Sequence, residues 1–247
     1  MRHLKFFIPV FAIFVYSASL AQATIAVKHF NKVIISPHIQ VTFVEGDNEG
    51  VTIDNSTVSN DKIIIEVKNN TLRIYLDGAK EIDKNQTTRE NRYKQKHHIY
   101  NGTVVKATVT YKTMNVLSIR GDESQLCKSP IRGDKFTLRI YGESHVVLNE
   151  VNLGVLQTTV YGEGSLEIKS GVAKNQKYTS YGEGKINSLA VSGNTGQITA
   201  YGEANIRLNV SDEIKITSFG DSKLEYKGNP EISKGLNIGG TQISRID

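Results

Sequence analysis

The chain has 247 residues, a formal net charge of +5 at pH 7 and 38% hydrophobic residues. Its one cysteine excludes an internal disulfide, so packing and backbone pairing have to stabilise the fold. The small positive charge argues against nucleic-acid binding, which calls for a concentrated basic surface.

The first 23 residues have the composition of a secretory signal peptide. Arg2 and Lys5 precede an almost wholly apolar run, Phe6–Val15, and Ala21–Ala23 supplies small residues at the two positions that signal peptidase reads. We predict cleavage before Thr24 and export to the periplasm, the cell surface or the medium. The apolar run is too short to span a bilayer comfortably and no later segment could do so, so we predict no membrane span after cleavage.

Residues 28–111 contain several short runs in which apolar and polar residues alternate, such as IQVTFVEG and TLRIYL. Alternation with a period of two predicts β-strands. Residues 79–103 interrupt the pattern, because they are polar, highly charged and without periodicity. They predict a long loop that projects from the body of the protein.

Residues 112–247 are built from a repeat of about 20 residues, in which an aromatic-Gly-acid wedge separates two alternating runs. A period of this length indicates stacked supersecondary units. The alternation has a period of two on both sides of the wedge, which favours a β-solenoid over a leucine-rich horseshoe with its helical half. We therefore predict an all-β, single-domain parallel β-solenoid (β-helix) over residues 24–247. The wedges begin at Arg120 (a diverged copy), Tyr141, Tyr161, Tyr181, Tyr201 and Phe219.

The glycine of each wedge is predicted to form the corner between two strands of a coil, because glycine adopts positive φ at low steric cost. Residues one and three positions before the aromatic residue, and five and seven after it, should then point into the core. The predicted corner residues are Gly142, Gly162, Gly182, Gly202 and Gly220.

Several stretches resemble the bacterial putative auto-transporter adhesin, head GIN domain family: FNKVIISPHIQVTFVEGDNEGVTID, KNNTLRIYL, the glycine repeat and LEYKGNPEISKGLNIGG. The resemblance covers residues 28–245. It implies an exported β-solenoid of the adhesin type and gives no catalytic residues to carry over. Family repeats more usually read Ser-Gly-Ser-Gly-Asp where this chain has Tyr-Gly-Glu-Gly.

The aromatic residues of the wedges and the threonines two positions earlier are predicted to form columns on the solenoid surface. Aromatic rings bordered by hydroxyls suit binding to a glycan or surface polymer, or to an envelope protein, through stacking and hydrogen bonds. The alternative is a self-stacking ladder that stiffens the corner and needs no ligand. The candidate binding residues are Tyr141, Tyr161, Tyr181, Tyr201, Phe219, Thr159, Thr179 and Thr199.

The acids of the wedges form a further predicted column. Neighbouring carboxylates about 4.8 Å apart could collect Ca²⁺, which prefers several oxygen ligands. The alternative is that they extend into solvent and bind nothing. The candidate ligands are Glu143, Glu163, Glu183 and Glu203, and no other cofactor is predicted.

The repeat offers no sign of an active site. Its coils have no insertion long enough to wall a cleft, and no phosphate-binding loop or nucleophile elbow is present. The sequence thus predicts a non-enzymatic, adhesin-like binding module of the bacterial envelope or surface. The alternatives are a structural or assembly component of the envelope, or a β-helix enzyme that acts on polysaccharides. Cys127 follows a coil with one extra residue, so its direction, inward or outward, stays open.

Overall fold

The computed structural model describes residues 24–81, 85–90 and 93–247. Nineteen strands form one sheet that winds around a single apolar core. The all-β parallel solenoid is therefore confirmed. Among the described residues the one helical element is a 3-10 turn, Asn60–Lys62. The described residues thus contain no helix that is long and apolar enough to cross a membrane. The predicted signal peptide, residues 1–23, lies outside the described part of the chain.

The strands are β1 (Thr24–Ala26), β2 (Lys32–Ile35), β3 (Ile39–Glu45), β4 (Gly50–Ser56), β5 (Ile63–Lys68), β6 (Thr71–Leu76), β7 (Asn85–Glu90), β8 (Tyr93–His98), β9 (Val105–Tyr111), β10 (Val116–Arg120), β11 (Gln125–Cys127), β12 (Ile131–Tyr141), β13 (His145–Leu148), β14 (Val151–Tyr161), β15 (Ser165–Ile168), β16 (Gly171–Tyr181), β17 (Lys185–Tyr201), β18 (Asn205–Phe219), β19 (Lys223–Lys227), β20 (Glu231–Ile238) and β21 (Gln242–Arg245).

The N-terminal strands continue into the coils through the same sheet. β2 is parallel to both β6 and β10, and β3 is parallel to both β9 and β11. Antiparallel pairs occur at this end alone within the main sheet as described: β4 with β1 and β9, and β5 with β6. Successive coils from β10 onward pair in parallel.

Residues 79–103 differ from the irregular loop that their sequence predicts. β7 and β8 pair antiparallel, from Asn85↔His98 to Glu90↔Tyr93, in a two-stranded sheet separate from the main one. Such a ribbon can form without an apolar stripe, because the backbone hydrogen bonds of the two strands satisfy each other. Hydrophobic periodicity therefore gave no sign of it.

Each coil has three strand segments, one more than the repeat predicts. The burial of Leu153 and Leu156, three residues apart, breaks the alternation within β14. Two inward residues at this odd spacing mean that the strand bends onto a new face between them. The segments of one coil are the first and second parts of β14, followed by β15 after the glycine corner.

The inward positions predicted by the repeat are buried in the core. In the coil around Tyr161, Thr158 and Val160 precede the corner and Leu166 and Ile168 follow it, and all four are buried. The same positions are buried in the other coils from Tyr141 to Phe219, except that Tyr226 in the coil around Phe219 is partly buried. Stacking in register therefore converts each inward position into a continuous column of the core.

Cys127 points into the core, which decides the direction that the sequence left open. Its side chain is fully buried, and burial raises the pKa of the thiol far above its usual value. A thiol in this environment stays protonated and is a weak nucleophile.

A buried glutamine joins the N-terminal strands to the first coil. β11 pairs directly with β3 only at Leu126↔Thr42 and Cys127↔Phe43. The side chain of Gln125 extends this ladder, because its Oε1 accepts the Val41 N–H at 2.8 Å and its Nε2 donates to the Ile39 carbonyl at 2.8 Å. The amide thus satisfies two backbone groups that would otherwise lie buried without partners.

Candidate functional site

The glycine corners stack directly on one another. Gly182 N–H donates to the Tyr201 carbonyl at 2.8 Å, and Glu183 N–H donates to the Gly162 carbonyl at 3.1 Å. A Cβ on Gly182 would lie 2.8 Å from the Gly162 carbonyl oxygen, so the stack leaves no room for a side chain. The corner residues have φ between 97° and 129°, namely Gly142, Gly162, Gly182, Gly202 and Gly220.

Glu123 ends the corner stack at its N-terminal side. The equivalent buried positions in later coils hold small residues such as Ser144 and Ala204. In later coils the N–H of the wedge acid can donate to the carbonyl of the preceding glycine corner, as Glu183 does. No earlier coil of the described chain offers a glycine corner to Asp122, and its N–H donates to the Glu123 carboxylate at 3.2 Å instead. Burial raises the pKa of Glu123 above its usual range, although backbone hydrogen bonds and the nearby His38 oppose this effect.

The aromatic residues of the wedges form a ladder along the edge of the corners. Their ring centroids are 4.8, 5.0, 5.0 and 5.1 Å apart and their planes differ by 0–4°. Arg120 covers the first ring, with its guanidinium carbon 5.4 Å from the Tyr141 centroid, and is ion-paired to Glu81. We name this set the aromatic ladder: Tyr141, Tyr161, Tyr181, Tyr201 and Phe219.

Face-to-face stacking decides which part of each ring a ligand could reach. The side chains of Tyr161, Tyr181 and Tyr201 are 38%, 42% and 40% exposed. Each of their two ring faces is covered by a neighbouring ring. The exposed part therefore consists of ring edges and phenolic hydroxyls, which suits hydrogen bonding better than stacking of a sugar on a ring face.

A column of threonines runs beside the aromatic ladder. Thr159 pairs with Thr179, and Thr179 with Thr199, in adjacent parallel strands, and all three are partly exposed. Their side chains therefore repeat at the strand spacing of about 4.8 Å. We name the aromatic ladder and these three threonines together the Tyr–Thr strip.

The same face carries three cations beside the Tyr–Thr strip. Arg139 precedes the threonines in their own column, and Lys177 and Lys215 lie in the next column. All three side chains are exposed. Their even spacing from the aromatic residues could have indicated that they share this face.

The acid column faces solvent. Glu143, Glu163, Glu183 and Glu203 are exposed, and the described residues contain no group of three or more His, Cys, Asp or Glu placed to hold a metal ion. The calcium ladder stays a prediction, and so does the alternative, in which the carboxylates extend into water. Because each step of the column offers so few oxygen ligands, we expect the alternative.

Calcium is accordingly expected to leave the stability of the protein unchanged. We expect the same melting temperature in millimolar calcium and in chelator at pH 7.5, because two carboxylates alone give too few ligands for Ca²⁺. The Glu163→Gln/Glu183→Gln variant is the control. A calcium-dependent rise in the parent that the variant lacks would establish the column as a cation site.

Comparisons with known proteins agree with the fold. The chain is similar to crystal structures of a putative adhesin from Bacteroides fragilis NCTC 9343 (22% identity, TM-score 0.75, 91% of this chain and 95% of that one) and a putative adhesin from Parabacteroides distasonis ATCC 8503 (19%, 0.66, 91% and 95%). It is also similar to a putative lipid binding protein from Parabacteroides distasonis ATCC 8503 (17%, 0.63, 91% and 96%). At these identities the likeness concerns the fold.

Sequence comparison identifies the family. No curated protein matches the chain significantly. The sequence profile described as "Putative auto-transporter adhesin, head GIN domain" matches residues 29–230, which is most of the chain and runs from β2 to β19. The protein therefore belongs to the putative auto-transporter adhesin, head GIN domain family.

Proposed function

We propose that this protein is an exported, non-enzymatic binding module of the adhesin type, which contacts a glycan or surface polymer of the bacterial envelope or surface through the Tyr–Thr strip. The observation that carries the proposal is the strip itself. Parallel stacking presents hydroxyl groups in straight, evenly spaced rows on an exposed face. A repeating ligand could form the same contact at successive coils.

Three further observations support the proposal. The family and two of the similar structures carry adhesin descriptions. The N-terminal sequence has the pattern of a signal peptide, which supports export. The one cysteine is buried and protonated, so it does not offer the activated thiol of a cysteine-dependent enzyme.

Glycan-array binding tests the role of the strip. We expect Tyr161→Ala/Tyr181→Ala to reduce the signal of bound glycans at least about tenfold, because it removes two of the central hydroxyls and the ring edges around them. Tyr161→Phe/Tyr181→Phe is the matched control for folding, because Phe219 already fits as a rung of the ladder. This variant should keep the parent's melting temperature and lose several-fold in signal. Equal signals from all three proteins would remove the strip from the function.

Equal signals would instead favour a structural or assembly role, for which the last coil offers a contact surface. Among the described strands, β20 and β21 each pair on one side only. Leu236 and Ile238 on β20 are 59% and 57% exposed. Apolar side chains on an unpaired strand edge can bind a partner in an assembly.

A further inference from the structure

The coil face that carries the Tyr–Thr strip has an excess of unpaired positive charge. Lys135, Arg139, Lys177 and Lys215 are exposed, and none of these side chains forms an ion pair or hydrogen bond within the described part of the chain. On the face after the corner, by contrast, Glu225 neutralises two cations, with Arg207 at 2.8 Å and Lys223 at 2.7 Å. Unpaired cations also occur on other faces of the described coils, such as Lys169 and Lys185, but those on this face lie beside the hydroxyl rows of the Tyr–Thr strip.

Two of these cations lie in one column along the solenoid axis. Lys177 pairs with Gln197, and Gln197 with Lys215, so the two lysines lie in one column two coils apart, about 10 Å. A depression of about 410 Å³ lies between them and is lined by both lysines together with Val155, Asn175, Thr195, Gly196, Gln197 and Glu213. A chain that follows the axis would meet these two positive charges about 10 Å apart, with the exposed carboxylate of Glu213 beside Lys215.

The charges around the face limit the width of an anionic ligand. The column of Lys177 lies four residues from the aromatic ladder along the strand, about 13 Å. Just beyond the ladder runs the exposed acid column, with Glu163 and Glu183 next to the rungs at Tyr161 and Tyr181. A bilayer or a nucleic-acid duplex is broad enough to meet these carboxylates, whereas a single polymer chain between the columns is not. Hydroxyl rows along this path suit a sugar polymer.

We propose that this face binds an anionic polysaccharide whose chain runs along the solenoid axis. Its carboxylate or sulfate groups contact Lys177, Lys215 and Arg139, and its hydroxyls bond to the Tyr–Thr strip. The inference rests on the proposed function and names the ligand class for it. The arrangement favours acidic over neutral chains of the same backbone, because charge complementarity adds to hydrogen bonding.

Binding to two matched pairs of polymers tests the inference. The probes are dextran sulfate against dextran, and polygalacturonate against its methyl ester, measured by titration at several salt concentrations. The parent should bind the anionic member of at least one pair about tenfold or more tightly than the neutral member, with an affinity that falls as salt rises. Lys177→Gln/Lys215→Gln should weaken this binding about tenfold and flatten its salt dependence. Glutamine fits there, since Gln157 and Gln197 lie in the same column.

The control variant carries the same change of charge on other faces. Lys169→Gln/Lys185→Gln should bind like the parent, which separates a local contact from the effect of net charge. The inference is overturned if the two double variants lose binding equally, if neither anionic polymer binds, or if phosphatidylglycerol vesicles or duplex DNA bind as tightly and depend on the same two lysines. If glycans then still bind in a manner that depends on Tyr161 and Tyr181, the proposed function stands without an acidic ligand. If they do not, both proposals fail.

Discussion

Replacing Gly182 by alanine is expected to lower the free energy of unfolding by about 2–4 kcal/mol. Two effects combine at this position. The backbone has φ of 114°, which side-chain-bearing residues rarely adopt. The added Cβ would also lie 2.8 Å from the Gly162 carbonyl oxygen, which belongs to the backbone of the adjacent corner and cannot move away alone. Denaturant unfolding followed by circular dichroism measures the change.

Gly133→Ala separates these two effects. Gly133 also has a positive φ, 143°, but a Cβ there would have no atom within 4 Å. We expect this control to lose about 1–2 kcal/mol, from backbone strain alone. If the two variants were equally stable, close stacking of the corners would make no contribution to stability. The need for glycine at the corner would then follow from its positive φ alone.

Replacing Tyr178 by alanine is expected to cost about 3–5 kcal/mol of unfolding free energy. Tyr178 is the largest of the fully buried side chains, and it lies at an inward position where the next coil has Ile198. Ser188 lies where the following coil has Leu208, so a small residue leaves room for the larger ring. Truncation at 178 would open a cavity in a coil whose other inward residues include the small Ala173, Ser180 and Ser188. Denaturant unfolding again gives the change.

Tyr178→Phe tests the polar part of this arrangement. The Tyr178 hydroxyl donates to Gln176 Oε1 at 2.9 Å, and the Ser188 hydroxyl lies 2.9 Å from the same oxygen. The Ser188 hydroxyl lies within reach of both Gln176 Oε1 and the Arg207 carbonyl, and it can donate its hydrogen to Gln176 once the tyrosine hydroxyl is gone. Removal of the tyrosine hydroxyl should therefore cost only about 1 kcal/mol. A loss as large as that of the alanine variant would mean that the hydrogen bonds, rather than the filled volume, make this coil stable.

Stacking in register gives the surface of this protein a simple property. A residue at one position of the repeat lies beside its equivalents in the coils before and after, as Thr179 lies between Thr159 and Thr199. Side chains of modest affinity thus become a row, and several weak contacts to one polymer act together. The binding predicted for the Tyr–Thr strip should therefore increase with the length of the glycan.

The architecture of the coils can be predicted from the sequence. A period of about 20 residues, alternation with a period of two and a glycine in each wedge were enough to predict parallel stacking, the corners and the inward residues such as Val160 and Leu166. The reason is geometric. In a solenoid each coil repeats the last by a translation of one strand spacing, so a position in the repeat is also a position in space.

Other features depend on three-dimensional packing, because the repeat period does not encode them. The bend within β14 shows only as a shift of the alternation between Leu153 and Leu156, and the β7–β8 ribbon has no hydrophobic pattern. The inward direction of Cys127 follows an irregular coil. The orientation of the tyrosine rings, and hence the exposure of edges instead of faces, depends on side-chain rotamers. The absence of ion pairs at Lys177 and Lys215 within the described residues also depends on side-chain rotamers. An ion pair needs the ends of two side chains to meet, and sequence spacing does not fix where those ends lie.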